Sequence, residues 1–136
     1  MTAMGHHTAL IWVMVVASAS DGVVSERELK IMDHLIKTLP IFRDFEGYRL
    51  AAVVQDCTAQ LQEPGGAETV LGQVRAVLPP PLRETAYWLA LEVALSDARV
   101  MLEEIRMAET VRRALGLDRL TAAAFERAAR ARYQVA

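Results

Sequence analysis

Residues 12–28 read WVMVVASASDGVVSERE, and residues 88–104 read WLALEVALSDARVMLEE. Trp12, Asp21 and Glu28 of the first stretch recur as Trp88, Asp97 and Glu104 at a single offset of 76 residues, without a gap. Recurrence of this kind marks an internal repeat. Past its end the substitutions keep their character: Leu29 answers Ile105, Lys30 answers Arg106, Asp33 answers Glu109, Lys37 answers Arg113 and Leu39 answers Leu115. Each copy reads as an apolar helix, an acidic turn and a second helix with one apolar face. The carboxylates kept in both copies are the first candidates for chemistry.

Working outward, seven helices are expected. The first covers about 8–20 and is apolar almost all round, which predicts a buried central helix. Asp21-Gly22 stops it, and Ser25-Glu26-Arg27-Glu28 has the pattern of a capping box that opens a second helix running to about Leu39 before Pro40. A third is expected from Phe45 to about Gln62, closed by Pro64-Gly65-Gly66, and a fourth from about Ala67 to Leu78. Pro79-Pro80-Pro81 then breaks the chain, with the last proline suited to the first turn of a fifth helix that ends near Asp97. A sixth spans about Met101 to Leu115 with Gly116 as its C-terminal cap, and a seventh about Thr121 to Arg132. No stretch alternates in polarity as a strand would, so the class is all-α.

The 136 residues suit a single domain, with a core at about 9–120 and the last helix outside it. Hydrophobic residues make up 53% and the mean hydropathy is +0.19, which predicts a dense core and apolar surface left for a protein partner, a homodimer being one form of it. A net charge of −2 without a basic cluster argues against nucleic-acid binding. Cys57 is the only cysteine, so an intramolecular disulfide and a cysteine-based zinc site are excluded, and a small core residue is expected. The apolar run from Ala9 to Ala19 is short for a membrane span, lacks a basic flank and has a mid-chain counterpart at Trp88–Ser96. A cytoplasmic protein is expected.

Asp21 and Glu28 fall at the facing ends of two successive helices, and Asp97 and Glu104 repeat the arrangement. If the two hairpins pack about a pseudo-twofold axis, four carboxylates meet, and they repel unless a cation sits among them or some are protonated. Oxygen-only ligands suit a hard divalent ion, Ca2+, Mg2+ or Mn2+. The spacing is not that of an EF-hand. The competing account is structural: Asp21-Gly22 as a turn and Glu28 as the reciprocal cap to Ser25. The second copy loses that cap's hydroxyl, since Met101 replaces Ser25, and gains Arg99, which could serve as a counter-charge in place of a metal.

Ala19 to Glu28, Ala94 to Asp97, Glu103-Glu104 and Arg113 to Leu117 together resemble the bacterial TerB-like tellurite-resistance domain, over about Ala9 to Leu120. The resemblance implies an all-helical fold of roughly seven helices and a divalent-metal site at Asp21, Glu28, Asp97 and Glu104. The family usually repeats Asp-Gly in its second hairpin, where this chain has Asp97-Ala98. Its members are associated with stress and tellurite resistance without an established catalytic activity.

The remaining candidates favour structure over chemistry. His6, His7 and His34 lack a third ligand at metal-binding spacing. Trp12 and Trp88 read as matched core anchors, and Met14, Met32, Met101 and Met107 as packing residues. Glu92 interrupts the fifth helix where the first copy has Val16, and is expected on a polar stripe. No nucleophile with a base, phosphate loop or carboxylate pair at glycosidase spacing stands out, so no enzyme is expected. Three functions stay open: a metal-holding domain in a stress-linked assembly, a metal-free interaction module, and a sensor of membrane stress.

Overall fold

The computed structural model describes residues 4–18, 23–96 and 102–136, the last stretch with side chains from residue 106. Among them run seven α-helices and no strand: α1 His6–Ser18, α2 Glu26–Thr38, α3 Leu50–Leu61, α4 Gly66–Val77, α5 Pro80–Leu95, α6 Leu102–Leu115 and α7 Arg119–Arg132. Two short 3-10 turns, Pro40–Phe42 and Gly47–Arg49, join α2 to α3.

The two apolar helices of the repeat form the centre. Every residue of α1 from Ala9 to Ala17 is buried, and α5 buries Ala86, Tyr87 and the run from Leu89 to Ala94. They pack most extensively against each other, while α3 and α4 cover α1, α6 touches both, and α7 lies on α5. Burying a side chain the size of Leu10, Ile11 or Leu89 contributes about 1.5–3 kcal/mol relative to exposure, against an ordering cost of about 1–2 kcal/mol per residue of backbone. The flanking helices α2 and α6 match position for position. Leu35 and Val111 are both buried, and Lys37 pairs with Asp33 at 2.7 Å as Arg113 pairs with Glu109 at 3.2 Å.

The ends of the helices follow from particular residues. α6 closes on Gly116 at φ 72°, with Leu117 N–H donating to Arg112 C=O and Gly116 N–H to Arg113 C=O, the paired bonds of a Schellman cap. α5 starts earlier than expected, since Pro80 and Pro81 both sit in its first turn; Pro79 is extended, as a residue before proline prefers. α7 also starts earlier, on Asp118, whose carboxylate accepts from Thr121 N–H at 2.8 Å; that bond holds the Asp118 carboxyl below its ordinary range. α3 begins at Leu50, not Phe45. The Phe45 ring is drawn against His7 and Phe42, 5.6 and 6.2 Å between centroids, Glu46 is extended, and Gly47 opens a 3-10 turn before the helix can propagate.

Cys57 is fully buried against Trp12 C=O, and burial pushes its thiol up to about 12. Tyr87 is fully buried and donates to Glu126 at 2.9 Å; burial raises its phenol well above the ordinary value. Both groups keep their proton in the folded chain at pH values where the unfolded chain loses it. Their contribution to stability is therefore complete below the unfolded values and is lost as pH rises through the folded ones. Stability measured by urea unfolding is expected to fall from about pH 9 upward, with a shallower fall in Cys57→Ala.

Gly66 starts α4 where a Cβ would lie 2.2 Å from Gln60 C=O and 2.8 Å from the Leu61 Cα. Gly72, in the same helix, faces open space. Gly66→Ala is expected to destabilise the domain by roughly 1–3 kcal/mol in urea unfolding, because backbone must shift. Gly72→Ala is expected to stabilise by about 0.5–1 kcal/mol in the same measurement.

Candidate functional site

Of the four carboxylates singled out in the sequence, Glu28 is the one whose side chain lies among the described residues. Its Oε1 accepts from Ser25 N–H at 2.8 Å, and its own N–H donates to Ser25 Oγ at 3.1 Å, which is the complete capping box that opens α2. Asp21 and Asp97 lie outside the described residues. Glu104 falls within α6, with its side chain outside them. Among the described residues no group of three or more His, Cys, Asp or Glu is placed to hold a metal ion.

The two hairpins do meet. The Arg27 guanidinium, one residue before Glu28, donates to the Ser96 carbonyl, one residue before Asp97. This contact joins the start of α2, which follows the first acidic turn in the chain, to the end of α5, which precedes the second.

Beside that junction lies a groove of about 590 Å³ between α2, α5 and the end of α7, with Lys30, Ile31, Leu35, Glu92, Arg132 and Tyr133 among its lining residues. Glu92 corrects the sequence expectation: it does not emerge on a polar stripe but is 3% exposed. Its Oε1 sits 2.5 Å from Arg132 Nε, a charge contact without the alignment of a good hydrogen bond, and its backbone carbonyl accepts from Tyr133 Oη at 3.5 Å. The Arg132 guanidinium also lies 5.5 Å from the Tyr133 ring centre. The groove is invisible to local spacing because Lys30, Glu92 and Arg132 come from three distant helices. The one signal in the chain is the mismatch of the repeat at this position, Val16 against Glu92.

The tryptophans differ in role. Trp12 is a core residue whose buried indole N–H has no hydrogen-bond partner among the described residues, whereas Trp88 is half-buried and stands edge-on to Phe125 at a shallow groove. His7 is spent on structure, its Nε2 lying 2.8 Å from the Ile41 carbonyl. Among the described residues no helix is long and apolar enough to cross a membrane.

These features define an all-helical domain built on two matched hairpins, the start of α2 in one bonded to the end of α5 in the other. The sequence model of the family described as Tellurite resistance protein TerB matches residues 7–130, and the chain belongs to that family. No curated protein and no solved structure matches it.

The Glu92–Arg132 pair can be tested by itself. Arg132→Ala leaves a buried carboxylate without its cation and is expected to cost roughly 1–3 kcal/mol in urea unfolding. The double variant Glu92→Val, Arg132→Ala is expected to recover most of that loss, since an apolar replacement of both partners removes the uncompensated charge.

Proposed function

We propose that this TerB-family domain is a non-catalytic component of a stress-linked assembly, and that it holds a hard divalent cation between Asp21, Glu28, Asp97 and Glu104. The observation that carries the proposal is the bond from Arg27 to the Ser96 carbonyl. It makes spatial neighbours of two residues some seventy positions apart, and in the chain those two adjoin Glu28 and Asp97. Carboxylates gathered there need a counter-charge, and their oxygens suit Ca2+, Mg2+ or Mn2+. The cap on α2 is compatible with this role, because a carboxylate offers about four acceptor sites and the bond to Ser25 uses one. Such an ion would neutralise the turns and fix the two hairpins relative to one another.

The second reading is a metal-free module that presents the charged hairpin end to a protein partner, with Arg99 as the internal counter-charge. What favours it is Asp97-Ala98-Arg99 in place of a second Asp-Gly. Calorimetric titration of chelator-stripped protein with Ca2+, Mg2+ and Mn2+ separates the two. Saturable heat is expected in the parent and not in Asp21→Asn, Asp97→Asn, with an ion at a hundred times its Kd adding about 2.7 kcal/mol of stability. Absence of heat with every ion at millimolar concentration would transfer the function to the metal-free module.

A further inference from the structure

Glu92 is costly where it stands. The matched position of the first copy is Val16, which is buried as Glu92 is, so a central helix packs without a carboxylate there. Desolvating a carboxylate is expensive unless a cation compensates it. What Glu92 does that a valine cannot is hold Arg132. It meets the guanidinium at Nε, while the Tyr133 ring lies beside the guanidinium carbon. The guanidinium also meets the Tyr133 hydroxyl, and of the five N–H donors of an arginine the remainder suit the oxygens of a carboxylate or phosphate. The Arg132 side chain is 52% exposed and lines the groove. Lys30 stands exposed on the α2 side, and Ile31 and Leu35 supply apolar wall.

We propose that the groove between α2, α5 and α7 binds a small organic anion, a carboxylate or phosphate on an apolar body, gripped by the Arg132 guanidinium and Lys30. Glu92 is the positioning residue that aims Arg132. Glu26 also lines the groove, so its charge is mixed and favours one compact anionic head over a polyanion. His34 lines it as well. The proposal is independent of a cation at the hairpin ends, and its test is run in chelator to keep the two apart.

The full chain is titrated with phenyl phosphate and with benzoate, with inorganic phosphate alongside, and followed by NMR at the Arg132 Nε–H and the Tyr133 amide. Saturable shifts with a millimolar Kd are expected for at least one aromatic anion, and which of the two binds tighter identifies the head group as phosphate or carboxylate. Arg132→Lys and Glu92→Val are each expected to weaken binding about tenfold or more, because the guanidinium is lost in one and unaimed in the other. Glu92→Val is expected to keep the parent Tm, a result that a merely structural role for the pair does not predict alongside lost binding. Should Glu92→Val not fold, Arg132→Lys and Lys30→Ala decide the matter by the same loss. No saturable shift with either aromatic anion overturns the proposal, as does undiminished binding in the folded variants. Equal affinity for inorganic phosphate overturns the apolar body.

Discussion

Two helices with long enclosed runs, Ala9–Ala17 of α1 and Ala86–Ala94 of α5, set the architecture. Neither run has a side that water can face at low cost, since exposed apolar surface loses about 25 cal/mol per Å². Each must be enclosed, and the lowest-cost first step is to lay one against the other, as they lie here. Everything else is enclosure. α3 and α4 cover α1, α7 covers α5, and the amphipathic helices α2 and α6 follow their apolar partners through the acidic turns. The contact between the hairpins is a consequence of the core. Because α1 and α5 are neighbours and α2 follows α1 after a short connection, the start of α2 is drawn beside the end of α5, where Arg27 bonds to Ser96.

Most of this fold was legible in the chain, because the signals that specify it are local. The apolar runs at 9–19 and 86–95, the Ser25-to-Glu28 capping pattern, and Gly116 act within one or two turns of helix. The repeat added the pairing of hairpins. What escaped depends on contacts across the chain: Phe45 leaves the expected helix for the rings of Phe42, three residues earlier, and of His7 on distant α1. Glu92 was misplaced for a related reason. A lone acid in an apolar helix reads as a polar face unless the distant Arg132 is known to meet it. At the acidic turns the sequence carries the inference: the structure shows Glu28 as a cap and Arg27 bonded to Ser96, while Asp21, Asp97 and the Glu104 side chain lie outside the described residues.

Polar groups inside this domain are used as fasteners more than as fillers. Tyr87 reaches Glu126 and Glu92 reaches Arg132, so both buried polar side chains of α5 terminate on α7. Between them α7 offers the core little more than Ala122, Ala129 and a half-buried Phe125. An alanine buries far less area than a leucine, so the apolar grip on this helix is slight by comparison with the grip on α1.

That balance gives α7 a different standing from the other helices. Its attachment rests on the Tyr87–Glu126 hydrogen bond, the Glu92–Arg132 charge contact and a thin apolar seam, the kind of element that opens at a free energy below that of the whole domain. When it lifts, Glu92 and the Tyr87 hydroxyl gain water in place of their partners, which offsets much of what is lost, while α1 through α6 keep their own packing. The last helix is thus held as a latch holds a lid, by one phenol and one acid five residues apart on a single central helix, where the other helices are held by packing.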